Sequence, residues 1–366
     1  FRQQYGVQVS RKHYQDYKNI GADPSEEKFV PICFMGVWDT VDAVGFPIEE
    51  IAGFWNDNIY QFKFSDHALS PWVNKACHAL SIDDERRSFH PLLFNESDPR
   101  DERRIEQVWF PGVHSNIGGG YPKQGMAHVA LNWMMAKAEA AGLRFDEYCK
   151  NKFIATADIN DKLYDSRSGV SIYYRYEPRD LKKLCGNEGL DAIRVHISTF
   201  HRILACTENY APGNLSDFKV AVDDPTYVGE TRADQERIVN TCSGGWANDE
   251  DHAYDQSRLA EIRHTLHIWF IVASAFVLAA GYLFGKFYAP ATPPSNPLLT
   301  LAEAATALVP VFGDFLYLQV CVPLFSHMLL GLTIVGIPFY LYAIDIILKK
   351  RQERGYQKFW RRTLSA

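Results

Sequence analysis

Two apolar runs near the C-terminus constrain the fold of this chain more than any other feature. The first, residues 265–284, contains no Asp, Glu, Lys or Arg and has the length that a helix needs to cross a bilayer, about 20 residues. The second, residues 328–348, is interrupted only by Pro338 and Asp345, which membrane helices tolerate. We predict a hairpin of two transmembrane helices with spans at about 265–284 and 328–348; two buried core helices are the alternative.

The distribution of basic residues predicts the orientation of this hairpin. A basic cluster directly follows the second run, whereas the loop between the runs carries only Lys286. The positive-inside rule then places the C-terminus in the cytoplasm and the loop outside. Two spans return the N-terminal part to the cytoplasm, so we expect a multi-pass protein of the inner (cytoplasmic) membrane. Residues 299–325 form a weaker third candidate, although Glu303, Pro310 and Asp314 favour an interfacial position.

Composition excludes several classes of partner and site. The net charge of −6 and the lack of a basic stripe with interleaved aromatic residues argue against a nucleic-acid partner. The seven cysteines are dispersed and form no C-x-x-C pair, so neither a zinc site nor a disulfide framework is indicated, and a reducing compartment is favoured. The chain begins with Phe1, from which we expect it to be part of a longer protein.

The remaining sequence divides into parts of different composition. Residues 1–215 alternate between strand and helix patterns, 216–260 form an acidic, polar linker, 261–350 form the membrane region, and 351–366 form a basic cytoplasmic tail. Residues 28–41 and 104–110 are predicted strands, residues 125–143 a helix, and residues 70–91 a helix and loop. This alternation predicts an α/β fold with a doubly wound or hydrolase-like parallel sheet.

Two candidate site residues follow the predicted strands. Asp39 comes directly after "FMGVW", and His114 comes shortly after "QVWF". Because ligands of open α/β sheets bind beyond the carboxyl ends of the strands, both residues are placed where a site is expected. An acid followed by a histidine matches the last two members of a Ser-Asp-His triad in hydrolase order. Taken alone, Asp39 equally fits a turn or helix cap and His114 a loop residue.

Four sequence blocks resemble a bacterial hydrolase family. "FMGVWDTVDAVG", "HALSIDDERRSFHPLLF", "QVWFPGVHSNIGGGYP" and "VHISTFHRIL" with "YAPGNL" are similar, in this order, to the family that includes type VI secretion phospholipase effectors of the first lipase class. The resemblance implies that residues 1–215 are the C-terminal part of an α/β-hydrolase-like domain. It further implies that a triad acts on lipid esters without metal or organic cofactor, with Asp39 as its acid and His114 as its base.

The chain departs from the family pattern at two points. Asn116 stands where the family usually has an acid, and no G-x-S-x-G elbow occurs anywhere in the sequence. Ser115 is adjacent to His114 and therefore badly placed to serve as nucleophile. We expect a membrane-anchored serine hydrolase of the lipase or phospholipase type, whose serine lies outside this chain and whose isolated chain is inactive. The alternative is an inert hydrolase scaffold with a binding or immunity-related role at the membrane.

The other polar clusters are given structural interpretations. The cluster from Asp83 to Arg87 is typical of a solvated or salt-bridged helix end, although the resemblance suggests that it shapes the substrate cleft. Three glycines after His114 (Gly118, Gly119 and Gly120) lack the context of a phosphate-binding loop, and we expect them to let the backbone turn. The polar residues of "VHISTFHR", which are His196, Ser198 and Arg202, are expected to pack a structural turn.

Overall fold

The computed structural model of the chain describes residues 31–41, 67–190, 192–215, 220–222, 250–288, 299, 302–303, 306, 317–322 and 328–365. Within these residues the chain forms a parallel sheet with helices on both faces, followed by two long helices. The predicted α/β class is therefore correct. The beginning of the strand predicted at 28–41 and most of the linker predicted at 216–260 lie outside the described residues.

The sheet has five strands in the order in which they occur along the chain. They are β1 (Met35–Trp38), β2 (Ala76–Ser81), β3 (Ile105–Phe110), β4 (Arg194–His196) and β5 (Val220–Val222). Each strand pairs in parallel with the next. The carboxyl ends of β1, β2 and β3 consequently lie side by side at one edge of the sheet. The sheet also continues past residue 215, where we placed the end of the domain.

β2 contradicts the helix and loop predicted at residues 70–91. All six residues of β2 are buried, because the strand lies between β1 and β3. Its sequence, ACHALS, has no β-branched residue and contains good helix formers. Burial between two neighbouring strands, rather than intrinsic propensity, decides its conformation. The strand predicted at 104–110 is confirmed as β3.

Helices cover both faces of the sheet. In the first part of the chain they are α1 (His114–Gly118), α2 (Gly125–Ala140), α3 (Glu147–Thr156), α4 (Leu181–Asn187) and α5 (Ile197–Leu204). α2, predicted at 125–143, buries Trp133 against Val108 and Phe110 on one face. Trp109 alternates to the other face, as strand geometry requires, and belongs to the same apolar cluster as Phe200 of α5.

Two long helices, α6 (Glu250–Tyr288) and α7 (Met328–Ser365), contain the apolar runs and pack against each other. By length and composition alone, Gln256–Leu283 and Leu332–Thr363 are able to cross a membrane, with mean hydropathies of 1.9 and 1.7 in their most apolar windows. Little of these windows is buried within the protein. The third candidate segment, 299–325, falls mostly outside the described residues.

The described residues from 31 to 222, which contain the sheet and the helices that cover it, form the sheet domain. The C-terminal half of α7 packs onto this sheet domain. Phe359 and Trp360 are buried in the same apolar cluster as Leu80 of β2, and the Trp360 indole Nε1 donates a hydrogen bond to the Pro212 carbonyl at 3.0 Å. The basic residues of the predicted tail, among them Arg351, Arg354, Lys358 and Arg361, lie on the exposed side. Residues 351–365 thus continue α7 and pack one side of the helix onto the sheet domain. Their high charge alone predicts only a solvated tail.

A polar network joins both long helices to the sheet domain. Arg263 of α6 donates from Nε to the Asp345 carboxylate of α7 at 2.9 Å and from Nη1 to the Tyr176 hydroxyl at 2.8 Å. Lys349 of α7 forms an ion pair with Asp165 at 2.8 Å. Asp345, the acid that interrupts the second apolar run, is therefore paired with Arg263, which also contacts the sheet domain through Tyr176.

Candidate active site

The carboxyl ends of three neighbouring strands bring the candidate residues together. Asp39 follows β1, Asp83 and Asp84 follow β2 after one residue, and His114 lies four residues beyond β3 at the start of α1. This is the edge of an open parallel sheet at which ligands usually bind. The residues come from separate parts of the sequence, and the order of the strands makes them neighbours.

Asp39 and His114, the two residues selected from the sequence, are in direct contact. His114 Nδ1 lies 2.8 Å from Asp39 Oδ2, and the Asp39 side chain is fully buried whereas that of His114 is 28% exposed. Among the described residues, none forms a hydrogen bond with His114 Nε2. A proton on Nδ1 that is donated to Asp39 leaves the Nε2 lone pair available to a group outside these residues. The pair has the geometry of the acid and base of a triad.

The backbone conformation of Asp39 and two hydrogen bonds from Ser81 orient the Asp39 carboxylate. Asp39 has a φ of 42°, a left-handed conformation that is uncommon outside glycine and concentrates at functional sites. Its Oδ1 accepts a hydrogen bond from the Ser81 backbone at 2.9 Å, and its Oδ2 accepts one from the Ser81 hydroxyl at 3.1 Å. The carboxylate is thereby fixed in the orientation that His114 requires.

Arg179 is the main residue of the site that the sequence did not reveal. Its guanidinium is fully buried and clamps both Asp39 oxygens, with Nη1 2.6 Å from Oδ1 and Nη2 2.8 Å from Oδ2. It also donates to the carbonyls of Ser81 and Phe89. Arg179 comes from the loop before α4, far from Asp39 in sequence, and no local pattern marks it. Only the tertiary structure shows the contact.

The charge balance at Asp39 follows from this clamp. Burial by itself would raise the pKa of Asp39, but the positive charge of Arg179 and the hydrogen bonds from Arg179 and His114 outweigh burial and hold the pKa well below its usual value. Asp39 is therefore ionised at neutral pH. An ionised acid at this position stabilises the imidazolium that His114 forms when it takes up a proton.

His78 supports the turn after Asp39 from inside β2. Its ring is fully buried, and Nε2 accepts a hydrogen bond from the Thr40 backbone at 3.2 Å. Nδ1 lies 3.4 Å from Gln107 Oε1 of β3. Burial lowers the pKa of His78 to about 4, so the ring is neutral at pH 7 and keeps the acceptor that Thr40 needs. Sequence reasoning missed His78 because residues 70–91 were predicted to be helix and loop.

Asp84 positions the backbone of His114, which corrects the interpretation of residues 83–87 as a helix end. Asp84 is fully buried, and its Oδ2 accepts hydrogen bonds from the His114 backbone at 3.1 Å and from Arg86 at 2.8 Å. The Arg86 guanidinium lies 3.4 Å from the centre of the Phe89 ring, which in turn packs edge-on against the His114 ring at 5.2 Å. The cluster therefore lies directly beside His114, and its part in shaping a substrate cleft stays a prediction.

Asp83 links the end of β2 to the turn before His114. Its Oδ2 accepts hydrogen bonds from the Gly112 backbone at 2.6 Å and from the Tyr210 hydroxyl at 2.9 Å. Gly112 has a φ of 121°, and a Cβ at this position would lie 2.6 Å from the Asn116 Cβ. The backbone conformation and the lack of space both require glycine here. Burial raises the pKa of Asp83 to about 7.

The raised pKa of Asp83 predicts a pH-dependent stability. The folded protein binds the proton of the Asp83 carboxyl group more tightly than the unfolded chain does, where the pKa of Asp is about 3.9. The free energy of unfolding therefore falls as the pH rises from about 4 towards 7. Asn retains an acceptor oxygen but does not titrate. We therefore expect the free energy of unfolding of Asp83→Asn to fall by about 1–2 kcal/mol less than that of the wild type between pH 5 and pH 7. Chemical unfolding of both proteins at a series of pH values measures the difference. Parallel pH profiles for the two proteins would exclude a titrating Asp83.

Asn116, the departure from the family pattern, supports the turn that carries His114. It is buried, its Oδ1 accepts from the Val113 backbone at 3.3 Å, and its Nδ2 donates to the Lys162 carbonyl at 3.1 Å. A carboxylate is unable to donate that second hydrogen bond, so the amide suits this position. Shortly after it, Gly119 and Gly120 have positive φ angles of 84° and 108°, which end α1 in a turn.

The other candidate groups do not join the site. His196 and Ser198 hydrogen-bond to each other at 2.7 Å inside the protein, and Arg202 donates to the carbonyls of Ile159 and Asp161. Among the described residues no group of three or more His, Cys, Asp or Glu side chains is arranged to hold a metal ion. The six described cysteines are free, and Cys242 lies outside the described residues.

One comparison with known protein families finds a match that includes the candidate site. Residues 2–137 match the T6SS phospholipase effector Tle1-like catalytic domain. The predicted family resemblance is confirmed over these residues, which include Asp39, Asp84 and His114. The part of the chain that matches the Tle1-like model ends before Arg179 and before both long helices. No match to the chain was found among curated proteins or among solved structures.

Proposed function

We propose that this chain contributes the acid and base of a membrane-anchored serine hydrolase that cleaves carboxylic esters of lipids. The observation that carries the proposal is the 2.8 Å contact between His114 Nδ1 and Asp39 Oδ2, within residues that match a phospholipase effector catalytic domain. The required nucleophile is a serine outside this chain, on the elbow that precedes the acid in hydrolase folds. The buried Ser81, whose hydroxyl bonds Asp39, is unsuited to that role.

Each residue has a defined part in the proposed reaction. His114 Nε2 accepts the serine proton while the serine oxygen attacks the ester carbonyl carbon, and it then returns the proton to the departing alcohol oxygen. His114 Nε2 then takes a proton from a water molecule whose oxygen attacks the acyl carbon, and it passes this proton to the serine oxygen as the acyl–serine bond breaks and the carboxylic acid leaves. Asp39 remains ionised throughout, keeps the Nδ1 tautomer and stabilises the imidazolium. These steps require no metal ion or organic cofactor.

Fluorophosphonate labelling tests this assignment. In the full-length protein, which supplies the serine, His114→Ala is expected to reduce the labelling rate by about 10³-fold or more, because the serine loses its general base. His128→Ala is the matched control, since His128 lies on α2 and contacts Thr156. Labelling of the His114→Ala protein at the rate of the control would remove His114 from the triad.

The inert-scaffold alternative is supported by one observation. Arg179 neutralises much of the Asp39 charge, and an acid that already has a bidentate partner stabilises an imidazolium less. A binding or immunity-related protein would tolerate such a clamp. Under this alternative, the full-length protein is not labelled, with or without His114, whereas the hydrolase requires labelling that depends on His114.

We further propose that α6 and α7 cross the cytoplasmic membrane, with the sheet domain and the C-terminus in the cytoplasm. The support consists of two helices of suitable length and hydropathy and of the basic residues that follow the second run. A lipid substrate would then be present in the membrane that holds the enzyme. The sheet domain packs directly against both helices, so it would lie close to the membrane surface.

Cysteine accessibility tests this orientation. Cys149 and Cys206 are exposed on the sheet domain, so a membrane-impermeant maleimide should label them only after intact spheroplasts are permeabilised. A cysteine introduced by Ser295→Cys, in the loop between the two runs, should instead be labelled in intact spheroplasts. Labelling of Cys149 without permeabilisation would place the sheet domain outside the cytoplasm.

A further inference from the structure

A short 3₁₀ turn of the sheet domain, Gly169–Tyr173, carries unusually exposed apolar side chains. Val170 is 86% exposed and Tyr173 is 38% exposed. Single exposed apolar residues are common on protein surfaces and need no explanation by themselves. The position of this turn beside the long helices is what distinguishes it.

The turn packs against α6 where the first apolar run begins. The Tyr173 and Phe270 rings lie 5.2 Å apart, and Arg167 Nη2, just before the turn, lies 3.1 Å from His267 Nδ1. Arg263, which contacts Tyr176, precedes His267 by four residues, and His267 precedes Phe270 by three. The three α6 residues therefore share one helix face. The sheet domain covers this face.

At the same level, α6 exposes apolar residues on its remaining surface. Ile268 is 46% exposed, Trp269 59% and Val272 50%. If α6 crosses a membrane, these residues lie in lipid, and Trp269 has the amphipathic ring that favours the interface. Phe270 lies only two residues along α6 from Ile268 and therefore at nearly the same depth in the membrane. Because Tyr173 contacts Phe270, a lipid layer that surrounds Ile268 also reaches the turn.

We propose that the Gly169–Tyr173 turn lies in the interfacial layer of the same membrane leaflet, with Val170 among the phospholipid headgroups and upper acyl chains. This inference rests on the proposed membrane anchoring by α6 and α7. The turn adds an apolar contact outside the two helices and restricts the tilt of the sheet domain over the membrane. Interfacial segments of this kind bind through buried apolar side chains.

The turn also connects the membrane to the candidate active site. Tyr174 directly follows it and packs edge-on against Phe89 at 5.4 Å, and Phe89 packs against the His114 ring at 5.2 Å. Two ring contacts therefore separate His114 from the residue next to the turn. A turn in the interfacial layer would therefore hold the candidate active site close to the same leaflet.

Site-specific fluorescence tests the position of the turn. An environment-sensitive fluorescent amino acid replaces Val170 in the full chain, which is reconstituted in phosphatidylcholine–phosphatidylglycerol vesicles. A matched protein carries the probe at Tyr148, which is 78% exposed on α3. Emission from position 170 should shift to shorter wavelength on reconstitution, and phospholipid with a nitroxide near the headgroup should quench it at least twofold. The probe at position 148 should show neither effect.

Flotation of the same vesicles separates the possible results. Protein that floats with the vesicles while position 170 is quenched no more than position 148 overturns the interfacial turn but leaves the membrane anchor and the hydrolase intact. A blue shift at position 170 without quenching by the labelled lipid indicates a protein partner and also overturns the inference. Protein that fails to float overturns both the anchor and the turn. Fluorophosphonate labelling tests the hydrolase independently of all three results.

Discussion

Replacing Arg179 with methionine is expected to lower the melting temperature of the protein by about 10 °C at pH 7. The substitution leaves the fully buried Asp39 carboxylate without the guanidinium that contacts both of its oxygens. Breaking a buried ion pair by removing one partner costs about 3–5 kcal/mol. The backbone carbonyls of Ser81 and Phe89 lose a donor in the same variant. Thermal unfolding in detergent, followed by circular dichroism, measures the effect.

The destabilisation should depend on pH in a defined direction. In the wild-type protein, the pKa of Asp39 is held below its usual value, so the pair contributes stability above the unfolded value of about 3.9 and loses it as the pH falls below that value. Without Arg179, burial dominates and raises the pKa of Asp39, so the variant binds a proton more readily. The difference between wild type and variant should therefore be largest near neutral pH and shrink towards pH 4.

A surface pair of the same chemistry provides the control. Arg100 also contacts both oxygens of an aspartate, Asp98, from Nε and Nη2, but the Arg100 side chain is 86% exposed. Exposed ion pairs contribute little to stability because water and salt screen them, so Arg100→Met should hardly change the melting temperature. Equal shifts for Arg179→Met and Arg100→Met would show that burial of the Asp39 pair has no energetic consequence.

The part of the site that could be predicted from sequence is the part fixed by local pattern. Asp39 and His114 both follow apolar, β-rich runs, and parallel strands carry such residues to one edge of a sheet. The helix at Gly125–Ala140 was likewise predictable, because its apolar residues recur at helical spacing and Gly142 follows its end. Family resemblance then assigned roles to Asp39 and His114 that periodicity alone left open.

The part that could not be predicted depends on contacts between distant segments. β2 has a helix-favouring sequence and becomes a strand through burial between two neighbours, so His78 and the acids that follow β2 were misplaced with it. Arg179 reaches Asp39 only after the loop before α4 folds across the sheet edge. Phe359 and Trp360 stand among basic residues, and their burial follows from the continuation of α7 onto the sheet domain.

Replacing both Asp39 and Arg179 separates chemistry from folding at this site. Asp39→Asn alone leaves the Arg179 guanidinium buried without its carboxylate, so a loss of activity in that variant would be difficult to distinguish from a loss of structure. The double variant Asp39→Asn, Arg179→Met removes both charges. We expect its melting temperature to lie well above that of Arg179→Met, because no buried charge is left unpaired.

Hydrolysis by the same double variant should nevertheless fall by about 10³- to 10⁴-fold in kcat. The asparagine at position 39 no longer selects the His114 tautomer with a proton on Nδ1, and it provides no negative charge to stabilise the imidazolium. The measurement is ester hydrolysis by the chain together with the proposed serine-bearing segment, with the double variant Asp98→Asn, Arg100→Met as the matched control. A folded Asp39→Asn, Arg179→Met protein that retained a tenth of the wild-type kcat would show that the contact between Asp39 and His114 serves the fold rather than the reaction.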